Sequence, residues 1–307
     1  MSTELEIIDR LKILFPKIGD DAEEFNITPG FTPVVSIDSF VQGVHFDLFL
    51  ITPYDAAYRS CAATLSDIAA MGGRPKVLLC ALGMPEGNIT LAESLAHGIR
   101  SLANKFDTEI IGGDTVKSNT LFISLCVIGE AKQIVRRNGA KLGDVLCVTA
   151  PLGGSIAGLK TLKNDPTSFK EVIEKYIHPE PRIEEGLILS EFATSMIDVS
   201  DGLAIDLYHL LKESGVGAII HSVPVEKEAK KIAMLMEEKP DDFALYGGED
   251  FELLFTLNRK NLGKLRKRLN FFEIGEIVKE GMRFNDGREV RLGGYDHFAK
   301  VKSKIKY

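Results

Sequence analysis

Short apolar runs that stop at Asp or Gly alternate with longer helical stretches along nearly the whole chain, which restricts it to folds that layer helices on sheets. Residues 3–15 set Leu5, Ile8, Leu11 and Leu14 or Phe15 at helical spacing, and the helix ends before Pro16. Residues 34–37 read as a strand delivering Asp38 at its end, and residues 54–71 as an Ala-rich helix stopped by Gly72 and Gly73. A strand at 77–82, a helix over about 90–106, a strand at 109–111 running into Gly112, Gly113 and Asp114, and a strand at 121–128 follow. A polar, Gly-rich stretch at 136–143 then interrupts the pattern, and it places a domain boundary at residue 137/138. Beyond it lie a strand at 145–149, helices near 155–164, 168–177 and 183–193, a strand at 196–199, a helix at 203–212 and a strand at 218–221. A strand at 251–257, a helix at 259–269 and short strands up to Tyr295 complete the pattern. The expectation is two domains of mixed α/β (α+β) class, residues 1–137 and 138–307, each long enough to bury its own core.

Charge and motif content exclude several function classes. With 37 Lys and Arg against 44 Asp and Glu the net charge is −7, so a basic nucleic-acid surface is not expected. An anionic substrate would have to be met by local cations or metal ions. The four cysteines, Cys61, Cys80, Cys126 and Cys147, form no C-x-x-C pair and read as buried thiols of a cytoplasmic protein. No apolar run reaches the roughly 18 to 20 residues of a membrane span, and the N-terminal residues have no signal-peptide core. Gly153 and Gly158 have the separation of a Walker A loop, but Leu159 stands where that loop needs Lys, so Gly153 and Gly154 read as a helix-start turn. Dinucleotide, zincin and α/β-hydrolase signatures are absent.

What remains is a set of aspartates at strand ends or in Gly-flanked loops: Asp20 and Asp21 after Gly19, Asp38 after Ser36 and Ile37, Asp67 after Ser66, Asp114 after Gly113, and Asp198 with Asp201 before Gly202. Taken singly, each is a turn former or helix cap. Taken together, carboxylates that converge on one crevice raise each other's pKa and call for cations. An all-oxygen donor set with no Cys and scarce His favours Mg²⁺. Asp20 reads as a turn residue. Asp206, on the helix predicted over 203–212, reads as a solvated face or the partner of a nearby side chain.

Eight words of the sequence, in order and spacing, resemble the thiamine-monophosphate kinase family: IGDDA (18–22), VVSIDSFVQGVHF (34–46), TLSDIAAMGGRP (64–75), IIGGDT (110–115), RNGAKLGD (137–144), IDVSDGL (197–203), YGGEDFELLF (246–255) and GGYDHF (293–298). That family belongs with aminoimidazole ribonucleotide synthetase, selenophosphate synthetase and the hydrogenase-maturation dehydratase. The resemblance implies a two-domain fold of that superfamily, an N-terminal sheet domain that makes a homodimer, and ATP bound through an aspartate–metal cluster. It assigns several Mg²⁺ ions to Asp21, Ser36, Ile37 (through its backbone carbonyl), Asp38, Asp67, Asp114, Asp198 and Asp201, with Asp38, Asp67 and Asp114 carrying catalysis. ATP contacts fall on Gly113, Asp114, Arg137 and Ser200, and thiamine phosphate contacts on His45, Glu249 and Tyr295. Many members have Thr where Ile37 stands, which backbone ligation would tolerate.

The implied reaction passes the γ-phosphoryl group of ATP to a phosphate oxygen that is already ionised, so no general base is needed and the lack of a Ser-His or Cys-His pair is expected. The main obstacle is bringing two polyanions together, which Mg²⁺ and Arg137 address. Selenophosphate synthetases present a Cys in the N-terminal Gly-rich segment, where residues 11–21 have none, and the hydrogenase-maturation enzyme ends in a Cys-bearing tail, where this chain's last Cys is Cys147. A ribonucleotide synthetase is the nearer rival. A non-catalytic protein that retains ATP or thiamine phosphates is the rival from another class.

Overall fold

Alternating burial along the strands builds two separate sheets in the computed structural model, which describes residues 3–18, 22–295 and 297. Among the described residues, those up to 68 and 74–132 group as one unit, and 69–73 with those from 133 onward as a second.

The first unit runs α1 (Thr3–Leu14), β1 (Thr32–Val41), α2 (Pro53–Ala70), β2 (Arg74–Met84), α3 (Ile89–Lys105), β3 (Glu109–Lys117) and β4 (Phe122–Ala131), with the last two residues of α2 grouping with the second unit. Its sheet has the order β1-β4-β2-β3; β4 is antiparallel to both neighbours and β3 is parallel to β2. Ile123, Leu125 and Val127 of β4 are fully buried while Ser124, Cys126 and Ile128, alternating with them, are only half-buried, so one face carries the core. Small residues of α2, Ala56, Ala57, Cys61 and Ala62, are completely buried and let the helix lie close. Gly98 of α3 is required by that closeness, since a Cβ there would stand 2.2 Å from the Tyr54 carbonyl oxygen. Asn88 caps α3 by accepting the Leu91 N–H at 3.0 Å.

The second unit continues with β5 (Val145–Val148), α4 (Gly154–Asn164), α5 (Lys170–Ile177), α6 (Ile183–Leu189), β6 (Ala193–Asp198), α7 (Leu203–Ser214) and β7 (Gly217–Ile220). Next come α8 (Lys227–Leu235), α9 (Pro240–Tyr246), β8 (Leu253–Leu257), α10 (Leu262–Leu265), β9 (Phe272–Val278) and β10 (Met282–Phe284). Its six strands lie in the order β10-β7-β9-β5-β8-β6, antiparallel except for β10 beside β7. Both units mix helices and sheet, as the alternation requires, and Gly153 does start a helix as the N-cap of α4.

Several elements differ from the sequence expectation for identifiable reasons. β1 pairs with β4 without a break from Thr32 to Val41, and β3 pairs with β2 as far as Lys117, so Asp38 and Asp114 lie inside strands and not at their ends. α8 and α9 escape the periodicity because each is short and buries only three residues: Ala229, Ile232 and Ala233, and Phe243, Ala244 and Leu245. The helix expected at 259–269 is a 3₁₀ turn over Arg259–Asn261 and the single turn of α10. β8 begins at Leu253 because Phe251 takes a left-handed φ of +51°, which no strand accommodates. Cys61, Cys80 and Cys147 are buried thiols, whereas Cys126 is only half-buried.

One buried carboxylate fastens the first sheet to the chain leading into it. Glu130, fully buried at the end of β4, accepts the Thr28 N–H and hydroxyl at 2.7 Å each and the Arg74 guanidinium at 2.9 Å. Replacing it leaves those donors facing a group that cannot accept them all. Glu130→Gln is expected to destabilise the protein by about 2 kcal/mol, read from a lower denaturant midpoint in equilibrium unfolding.

Candidate active site

In the first unit, strand alternation turns Ser36 and Asp38 of β1 toward α2, where Asp67 waits one turn from the helix end. The Ser36 hydroxyl donates to Asp67 Oδ2. Burial, and then the charge of Asp67, push the Asp38 carboxyl up to about 6, with Thr64 pulling the other way. Ser36, Asp38 and Asp67 are therefore brought together. The Ile37 side chain points to the opposite face and is 67% exposed.

Asp114 stands elsewhere on the same sheet. It belongs to β3, the edge strand opposite β1, three inter-strand spacings or about 14 Å away. Its Oδ1 accepts the N–H of Thr115 at 2.8 Å. Gly113 beside it is dictated by sheet packing, because a Cβ there would stand 2.1 Å from the Cys80 carbonyl oxygen. Residues 112–115 also border a cavity of about 240 Å³ lined by Ile8, Leu11, Phe15, Leu82 and Ile99. His45 sits in the turn after β1, where its Nδ1 accepts the Val41 N–H at 2.9 Å and its ring meets Phe40 edge-on. With Nδ1 accepting, Nε2 is the ring nitrogen that remains to donate. Asp21 lies outside the described residues.

In the second unit four distant stretches of sequence meet. β6 ends at the buried Asp198, and residues 199–202 lead into α7. The Glu249 N–H donates to the Ser200 carbonyl at 2.7 Å, Phe251 N–H to Val199 at 2.9 Å and Tyr295 N–H to Asp201 at 3.2 Å. Burial raises the Asp201 pKa, the Glu249 carboxylate adds to it, and His209, His297 and Arg137 oppose the rise. Arg137, exposed on a 3₁₀ turn, thus faces the same loop, and the turn is tied to α7 by the Ser214 hydroxyl donating to the Arg137 carbonyl at 2.8 Å. The Tyr295 hydroxyl meets His297 Nδ1 at 3.1 Å, and their rings pack edge-on 4.7 Å apart.

Two carboxylates essential to this geometry were assigned no such role from the sequence. Asp206 is no solvated face: it is 2% exposed, and its Oδ2 accepts the N–H groups of Ser200, Asp201 and Gly202 at 3.0 Å each. It closes the loop from within, and burial together with the charges of Asp198 and Asp201 raises its pKa well above the usual range. An acidic residue in the first turn of a helix after a Gly-containing loop was the local signal for it. Asp250 accepts from the start of α4, far away in sequence, and no local pattern announces that. Among the described residues no group of three or more His, Cys, Asp or Glu is placed to hold a metal ion by itself.

The comparisons with known proteins bear on this arrangement. Residues 19–131 match the family described as AIR synthase related protein, N-terminal domain. A solved structure described as AaThiL complexed with AMPPCP and TMP is similar with a TM-score of 0.82 and 31% identity, covering 96% of this chain and 97% of that one. A thiamine-monophosphate kinase of Aquifex aeolicus is 32% identical, covering 96% of this chain and 98% of the relative. A thiamine-monophosphate kinase of Salmonella typhimurium is 38% identical, covering 92% of this chain and 91% of the relative. Kinship at that level over nearly the whole of both sequences makes the conclusion plain: the chain belongs to the thiamine-monophosphate kinase family.

Proposed function

We propose that this protein transfers the γ-phosphoryl group of ATP to thiamine phosphate, giving ADP and thiamine diphosphate. The observation that carries the reading is the likeness, nearly end to end, to a structure holding AMPPCP and TMP. In the second unit, Arg137 would receive phosphate oxygens with its planar fork, beside Ser200. Glu249 would accept from the aminopyrimidine or balance the thiazolium charge, and Tyr295 would offer its ring to that cation. In the first unit, His45 would donate through Nε2 to the substrate phosphate. The apolar cavity bordered by Gly113 and Asp114 suits a flat ring such as adenine. Transfer would be direct and in line, since the acceptor oxygen is already ionised and needs no base.

The donors present fit Mg²⁺. Asp38 and Asp67 are hard oxygen ligands, and burial followed by the Asp67 charge raises the Asp38 pKa, so a cation would offset a cost that the fold imposes. By the family resemblance, Ser36, the Ile37 carbonyl, Asp114 and Asp21 in the first unit and Asp198 and Asp201 in the second would also serve as ligands, each with remaining positions left to water and phosphate oxygens as this ion prefers. Bound there, Mg²⁺ would neutralise charge on the two substrates. A homodimer through the first sheet is supported by Val35 and Ile37, which expose 69% and 67% of their surface on one face of the edge strand β1. A cytoplasmic location accords with the composition, and no helix among the described residues is long and apolar enough to cross a membrane.

ADP release measured by a coupled assay with thiamine phosphate, thiamine or an aminoimidazole precursor, with and without Mg²⁺, tests the reading. Turnover is expected with thiamine phosphate and Mg²⁺, and to cease on chelation; turnover with the aminoimidazole precursor alone would overturn it. Asp67→Asn is expected to lower kcat by about a hundredfold or more in a folded protein, with no phosphate trapped on the chain during turnover.

Asp38 adds a pH-dependent stability signature. Its carboxyl titrates near 6 in the fold against 3.8 in the open chain, so ionisation is disfavoured by folding and stability falls as pH rises through that window. In the presence of a chelator, Asp38→Asn, which cannot ionise, is expected to be more stable than wild type by about 3 kcal/mol at pH 8 and equal to it below pH ~3, in thermal unfolding.

Light scattering is expected to give twice the 33.8 kDa chain mass for the wild type and a single chain for Val35→Glu. A wild type of single-chain mass with full activity would overturn the dimer.

A further inference from the structure

The segment that carries Glu249 is held in an unusual backbone conformation. Glu249 and Phe251 take φ of +56° and +51°, next to Gly248 at +71°, a region that side-chain-bearing residues occupy only where the surroundings over-determine it. Two restraints are the backbone bonds of Glu249 to Ser200 and of Phe251 to Val199. The third is the residue between them. Asp250 Oδ2 accepts the Gly153 N–H at 2.7 Å and its Oδ1 accepts the Ser155 N–H at 3.1 Å. Gly153 is the N-cap of α4, with a φ of +85°, and these amides are among the donors that a helix start leaves without intrahelical partners. The Gly-rich turn that resembles a phosphate cradle is thus filled by a carboxylate of the chain itself. Asp250 is not there because water favours it: burial pushes its carboxyl up to about 7 against the pull of the two amides, with Glu252 adding to the rise and Lys175 opposing it. The carboxylate is bound from two sides by backbone, and the two residues adjoining it are the strained ones.

We propose that Asp250 is a positioning residue of the thiamine phosphate site: by tying residues 248–251 to the start of α4 it fixes Glu249 in the left-handed conformation from which its carboxylate meets the substrate. This rests on the reading that Glu249 contacts thiamine phosphate. Releasing Asp250 removes one of three restraints, so Glu249 relaxes toward commoner backbone conformations while the loop at 199–202, held separately by Asp206, stays in place.

The test compares Asp250→Asn, Asp250→Ser, Glu249→Ala and the double variant Glu249→Ala with Asp250→Asn in the full-length enzyme. Asparagine keeps the size and one acceptor; serine is smaller and its hydroxyl still accepts one N–H. Calorimetry with thiamine phosphate is expected to show roughly tenfold weaker binding for each Asp250 variant, with the KM for ATP within about twofold of wild type. In the Glu249→Ala background, Asp250→Asn is expected to change thiamine phosphate affinity less than about twofold, because a residue that acts through Glu249 has nothing left to position. A merely structural Asp250 would weaken binding equally in both backgrounds, and that result overturns the proposal. So does unchanged affinity in the single variants, or failure of both to fold, which would make Asp250 a folding element. If Glu249→Ala itself leaves affinity unchanged, the assignment of Glu249 falls first and this one with it. If Glu249→Ala weakens binding and the Asp250 variants do not, only this proposal falls.

Discussion

A carboxylate taken out of water must find amide donors or a cation, and in this protein that requirement organises both units. Glu130 is met by Thr28 and Arg74. Glu252 is met by the Arg182 fork and the Thr149 hydroxyl, and Thr149 is in turn bonded to the backbone of β8. Asp206 takes three amides of one loop, and Asp250 takes two of a helix start. Each of these groups ties a piece of chain to another that is distant in sequence or differently folded, because a buried charge is tolerable only with its partners in place. The loops at 199–202 and 248–251 are each held by such an anchor.

The remaining carboxylates are of a different kind. Asp38 has another carboxylate as its neighbour, and Asp201 has Glu249. Nothing in folding rewards such pairs; they cost stability that Glu130 and Glu252, with Arg partners, do not. Acids opposed by a second carboxylate and lacking several amide donors, as Asp38 is, are the ones whose environment most favours a bound cation.

How much of this could be read beforehand follows from the range of the interactions. The strands of both sheets are legible because their apolar runs bury side chains in a short, regular period, and the Asp-bearing words are legible because each sits where such a run meets a Gly or Ser. Strand ends are not legible where pairing continues through polar residues, as β1 does through Ser36, Asp38 and Ser39. The short helices α8 and α9 bury too few side chains to leave a period. Asp206 had a local signal, its place in the first turn of α7, but a charged residue on a helix is more often solvated. Asp250 had none, since its donors lie 97 and 95 residues away and the two amides that receive it belong to a turn whose own sequence resembles something else.

That turn explains why phosphate handling has to take another form here. A helix N-terminus with free amides after a Gly-rich turn is a ready anion site, and α4 offers one. The site is already filled: Asp250 accepts from Gly153 and Ser155, and a phosphate entering there would have to displace a carboxylate held by its own chain while lacking the Lys that Leu159 replaces. On the proposed reading polyphosphate is then met outside this turn, by a guanidinium and by metal ions. These would be Arg137, facing the 199–202 loop, and cations held by the opposed carboxylates. If Asp250 positions Glu249 as proposed, the carboxylate that fills this turn would also set the backbone of Glu249, and a turn closed to phosphate and a thiamine phosphate contact would be two consequences of one buried acid.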